Sequence, residues 1–213
     1  SPAISRVTVD YKWQAGDGRA AAIASGEFVP ENCIITGVKT YKGTVYVTVP
    51  RWRHGVPATL AKVVTDDEGK AVLDPYPSWE WNNATASLSA LQYVQSMEVD
   101  TQGRMWILDV GRRNIFDNDT SLVKNSAAKM VIYSIPEDRV LSVFTFPNSV
   151  APFNSSFLND LAIDEVNEVA YISETGTVGG VVVYDLKTNT ARKWVGDAST
   201  QANASYPFNI NGV

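Results

Sequence analysis

A single histidine, His54, limits the acid–base chemistry open to this chain. No His-His dyad can form, and a Ser-His-Asp triad would have to be built on His54 itself. No Gly-x-Ser-x-Gly elbow is present to hold its nucleophile, so a covalent hydrolase is disfavoured. One cysteine and one histidine likewise supply no Cys/His cluster for zinc. Cys33 either pairs with a cysteine outside this sequence or stays a buried free thiol. Arg51 and Arg53 flank Trp52 and offer a cationic, aromatic rim for an anionic or aromatic ligand, or an Arg–Trp stack between packed elements. Asp109 follows the apolar run "MWIL", at a strand end that aims it at a ligand or at a neighbouring loop amide.

The 213 residues carry a net charge of −5 and no basic run longer than the Arg51–Trp52–Arg53 group, which argues against a nucleic-acid partner. No apolar run approaches the roughly 18 residues of a membrane span, so no membrane anchor is expected in this chain. Four sequons, at Asn83, Asn118, Asn154 and Asn203, all fall in expected loops, which favours a secreted, glycosylated protein. The start at Ser1-Pro2 is compatible with a processed N-terminus.

A repeat of about sixty residues must position these side chains. "YVQSMEVDTQGRMWILDVG" and "FLNDLAIDEVNEVAYISETG" share one plan: a strand ending in Asp, a turn, and a second apolar strand. Aligning Met97 with Leu161 gives an offset of 64, and Trp106 with Tyr171 gives 65. "ITGVKTYKGTVYVTVPR" is a looser third copy. Further strand pairs at 130–135 with 140–146, and at 180–186 with 191–195, complete four strands per unit, the blade of an all-β propeller. Blades are expected near 34–90, 91–150 and 151–206, with a fourth beginning near 207. That makes about three and a half blades, the N-terminal portion of one larger propeller. The aromatics Trp106, Tyr133, Tyr171 and Tyr184 are expected to pack blade against blade.

The stretch "VPRWRHGVPATL", then "PYPSW", "GRMWILDVG" and "AYISETGTVGGVVVYDL" resembles the yellow/major royal jelly protein family in order and spacing, over nearly the whole chain. The resemblance implies a secreted six-bladed β-propeller of about twice this length, with a small-molecule ligand in its central channel. The remaining half of the propeller, in the same protein or a cleaved chain, would be its partner. Family members include cuticle-pigmentation proteins linked to melanin, some of them dopachrome-converting, salivary amine binders, and nutritive glycoproteins. Insect members carry cysteines near the positions of Asn82-Asn83 and Thr101-Gln102, and this chain has none there.

"FLNDLAIDE" and "FNINGV" are also similar to strings of regucalcin/gluconolactonase-like propellers. That second likeness implies Asn159 and Asn211 as ligand-binding or metal-ligating residues, and Asp160 or, by analogy, Glu174 as the carboxylate that moves a proton. The alternative for the Asn and Asp residues is an Asx-type turn opening each strand. No cofactor is required by this reading, and calcium is the ion it allows. The expected function is therefore binding of a small aromatic or amine ligand in the channel. The rivals are a dopachrome isomerase, a calcium-dependent lactonase, and a structural glycoprotein.

Overall fold

Alternating apolar residues and tight turns fold the described residues of this chain into three antiparallel sheets. The computed structural model describes residues 8–14, 16–176, 179–196, 198–201 and 205. The first sheet holds β1 (Gly37–Tyr41), β2 (Thr44–Thr48), β3 (Leu60–Thr65) and β4 (Ala71–Pro75) in chain order. The second holds β5 (Val94–Val99), β6 (Arg104–Asp109), β7 (Lys129–Ser134) and β8 (Arg139–Thr145). The third holds β9 (Leu158–Asp164), β10 (Val169–Glu174), β11 (Gly180–Asp185) and β12 (Thr190–Trp194). Three four-stranded meanders, packed face to face with β5 between β1 and β9, are blades of a β-propeller. The fourth strand start expected near 207 and the residue Asn211 lie outside the described residues, as does Asn203.

Turn chemistry explains why the hairpins close where they do. The carboxylate of Asp100 accepts from the amides of Gln102 and Arg104, Asp164 from Val166 and Asn167, and Asp185 from Thr188. Each of these turns then ends on a residue with positive φ: Gly103 at 79°, Glu168 at 59° and Asn189 at 51°. An Asp that ties down the turn amides, followed by a left-handed residue, reverses the chain into the right-handed twist of the next strand. All of these short turns lie at one end of the blades. The long connections 49–59, 76–93, 110–128 and 146–157 gather at the other end, the face on which binding residues of such scaffolds collect.

One aromatic on the second strand joins each of the first two blades to the next. Tyr46 on β2 and Trp106 on β6 are 4% and 0% exposed, Tyr46 within the core between the first and second blades and Trp106 within that between the second and third. Tyr171 occupies the same position on β10 and is 48% exposed. It lies on the face of the third blade that points away from the second, because Ala170 and Ile172 alternate with it and take the inward side. The blade-packing expectation therefore holds for Trp106, Tyr133 and Tyr184, which are buried, and Tyr171 has no neighbouring blade among the described residues.

The other face of the first blade is covered by the N-terminal segment. Tyr11 bridges Leu73 in parallel, and Tyr11, Phe28 and Cys33 pack on Val47, Ala61 and Leu73. Helix α1 (Gly18–Ser25) lies in the same segment. Cys33 is free and buried, with Val29 and Gly55 carbonyls as its nearest acceptors, and burial pushes its thiol up to about 12.

Candidate functional site

The repeat offset reappears as hydrogen bonds between equivalent positions of adjacent blades. Gln95 Nε2 donates to Asn159 Oδ1 at 3.1 Å, and Ser96 Oγ donates to Asp160 Oδ1. At the far end of the same strands the Thr101 amide donates to Glu165 at 3.0 Å, and Arg104 pairs with Glu168. Each pair is 64 residues apart. The upper two pairs sit where β5 and β9 begin, at the long-connection end, and so form the described wall of the channel mouth.

Within that wall Asp160 is exposed and Asn159 half-buried. Asp160 Oδ1 is engaged by Ser96 and by its own strand's Leu161 amide, whereas Oδ2 has no protein donor among the described residues. Tyr93 reaches the same cluster by donating its hydroxyl to Gln95 Oε1 at 2.9 Å, and burial raises its proton affinity, so it stays a neutral donor. The mouth thus offers one carboxylate oxygen and amide groups, with the buried Tyr93 hydroxyl holding Gln95 from beneath. Gln95, Ser96 and Tyr93 were not singled out by motif, although subtracting 64 from Asn159 and Asp160 points straight to the first two.

Glu174 and Asp109 are not at this mouth. Each ends the second strand of its blade and is buried, at 3% and 0% exposure. Asp109 accepts from the amides of Gln92 at 2.7 Å, Tyr93 at 2.9 Å and Gly111 at 2.9 Å, and pairs with Lys129 at 2.8 Å. Glu174 repeats the arrangement with the Phe157 and Gly176 amides and Lys193. A carboxylate so enclosed ties the connection into the next inner strand to its own blade, and it has no oxygen turned toward a ligand. Of the two carboxylates offered for proton transfer, Asp160 or, by analogy, Glu174, only Asp160 keeps an oxygen without a protein donor among the described residues.

Arg51 and Arg53 separate as well. Arg51 is 5% exposed and gives all five of its N–H groups to carbonyls, those of Val56, Pro57, Asn82, Leu91 and Gln92. Among the described residues it stacks on no aromatic ring, and Trp52 instead packs against Phe116 at 6.3 Å. Arg53 is exposed and lines a separate cavity with His54, whose Nδ1 meets Asp117 at 2.9 Å. Asn82, where the insect pattern has a cysteine nearby, is fully buried. Its oxygen accepts from the Thr59 and Leu60 amides and its nitrogen donates to the Tyr76 and Ser78 carbonyls.

For a metal, the described residues offer little by themselves. No group of three or more His, Cys, Asp or Glu among them converges on a point. Calcium takes about six to eight oxygens, and the mouth brings one carboxylate plus two amides that are already bonded to each other. The sequons Asn83, Asn118 and Asn154 are exposed on the long connections. No helix of the described residues is long and apolar enough to cross a membrane.

Residues 92–212, which span the second and third blades, match the family described as major royal jelly protein. Protein yellow of Drosophila melanogaster is 31% identical over 173 residues, covering 79% of this chain and 31% of its own length. Protein yellow of Drosophila erecta is 30% identical over 158 residues, covering 73% and 28%. That of Drosophila pseudoobscura pseudoobscura is 35% identical over 115 residues, covering 53% and 20%. The chain spans about a third or less of the length of these curated relatives. The likeness to lactonase-type propellers rests on its two short strings alone. With blades, mouth and matched segment in agreement, the chain belongs to the major royal jelly protein family.

Proposed function

We propose that this chain forms part of a secreted, yellow-type propeller that binds a small aromatic or amine-bearing molecule at the mouth of its central channel. The observation that carries this reading is Asp160. Its Oδ1 is locked by Ser96 and Leu161 while Oδ2 faces no protein donor among the described residues. A fixed carboxylate with one free oxygen, beside the Gln95 and Asn159 amides, is what an ammonium group needs for a charge-assisted hydrogen bond. The rest of the propeller supplies the opposite wall, and the exposed Tyr171 face is where its next blade packs. Secretion and glycosylation fit the three exposed sequons at the long-connection end.

The test is calorimetric titration of tyramine into the full-length protein and its Asp160→Asn variant. Loss of one charge-assisted pair weakens binding by roughly tenfold. Equal affinity of the two proteins removes Asp160 from the site. The same free oxygen is also a proton acceptor, so turnover of a dopachrome substrate by the wild type and not by Asp160→Asn would make the site an isomerase.

A further inference from the structure

A second cavity, separate from the channel mouth, lies over the first blade on the long-connection face. Its volume is about 930 Å³, within the range of small-molecule sites. Helix α1 and the segments before and after it form one side, and the connections 49–59, 76–93 and 110–128 form the other. None of Gln95, Ser96, Asn159 or Asp160 lines it.

Its charges are ordered by depth. Arg51, nearly wholly buried, and Arg113, half-buried, form the inner wall, while Arg53, Glu27 and Glu80 are exposed at the rim. Arg113 is rigidly placed, since its backbone bridges Lys124 with bonds of 2.8 and 3.1 Å. Its guanidinium makes no hydrogen bond or ion pair with any described residue, and its Nε is buried without an acceptor. Asp109, the acidic group near both guanidiniums, is taken up by Lys129 and three amides. Burial lowers the proton affinity of both Arg51 and Arg113, and the nearby Arg113 charge lowers that of Arg51 further. A half-buried guanidinium without an acceptor is costly, and its planar fork matches a carboxylate.

The cavity also has an aromatic side. Trp13 and Trp79 stand 5.2 Å apart at 32°, and both indole N–H groups are spent, on Asp10 and on the Lys12 carbonyl. What they leave for a ligand is ring surface.

We infer that this cavity is a binding site for a small aromatic carboxylate, with Arg113 clamping the acid group, Arg53 steering it from the rim, and the Trp13–Trp79 pair covering the ring. The site takes an anion where the channel mouth takes an ammonium, so the two sort ligands by charge.

The experiment uses the full-length protein with 4-hydroxyphenylacetate as probe and tyramine, of the same ring and opposite charge, as control. Binding is followed by calorimetry and by tryptophan quenching. The expected result is saturable binding of 4-hydroxyphenylacetate that falls roughly tenfold or more in Arg113→Gln, is partly kept in Arg113→Lys, and is unchanged in Asp160→Asn. Arg53→Gln, exposed and safe for folding, weakens it by about threefold through the lost rim charge. Absence of binding, equal affinity in wild type and Arg53→Gln, equal affinity in a folded Arg113→Gln, or loss in Asp160→Asn each overturns the inference. Failure of tyramine to bind bears on the channel proposal alone.

Discussion

Removing the carboxylate of Asp109 is expected to destabilise the propeller more than removing its cationic partner. The side chain is fully buried, accepts three hydrogen bonds from the Gln92, Tyr93 and Gly111 amides, and forms an ion pair with Lys129. Asp109→Ala leaves a buried ammonium, still held by the Leu88 and Ala90 carbonyls, and three amides without acceptors. Breaking a buried ion pair from one side costs about 3–5 kcal/mol, and orphaned amides at about 1–3 kcal/mol each push the value to the upper part of that range. Lys129→Met removes the charge from the other side but leaves the carboxylate with its three amide donors, so about 1–3 kcal/mol is expected. A typical domain has only about 5–15 kcal/mol in hand. Urea unfolding of the full-length protein and both variants, followed by tryptophan fluorescence, measures the difference from the midpoints at constant slope. If Lys129→Met costs as much as Asp109→Ala, or if Asp109→Ala costs under about 1 kcal/mol, the carboxylate is not the hub of this network.

Gly111→Ala is expected to fail to fold or to lose several kcal/mol, since φ is 76° and an added Cβ would meet the Ser126 carbonyl oxygen at 2.4 Å. Thermal melting beside wild type checks it. Asn82→Ala strands the Thr59 and Leu60 amides and costs at least about 2 kcal/mol by urea midpoint. Glu165→Gln, on an exposed inter-blade pair, stays within about 1 kcal/mol of wild type in the same assay. The buried Cys33 thiol has its pKa raised from 9.0 to about 12, so the unfolded chain releases that proton first. Stability from this group is complete below pH 9 and declines as pH rises from 9 towards 12, by up to about 1.4 kcal/mol per pH unit. Urea midpoints at pH 8 and pH 10.5, in wild type and Cys33→Ala, isolate that part as the difference in slope with pH.

The blades are legible along the chain before any fold is known. Alternation at β6, β10 and β11 and the Asp-to-left-handed-residue turns at 100–103, 164–168 and 185–189 are local chemistry, and local chemistry is readable in order along the chain. The likeness of "FLNDLAIDE" to lactonase-type strings pointed to Asn159 and Asp160, and subtracting the 64-residue offset from them leads to Gln95 and Ser96. Which polar groups stay free is set by contacts between distant segments. Asp160 and Glu174 look alike in sequence, each at a strand terminus near a turn, yet one keeps an open oxygen and the other is enclosed by two amides and Lys193. Arg51 and Arg113 are equally ambiguous, and the first spends every N–H on five carbonyls drawn from positions up to 41 residues away. The second is left with no acceptor among the described residues. Whether a polar atom is spent or available depends on partners brought in from distant loops by blade packing, and no local pattern encodes that sum.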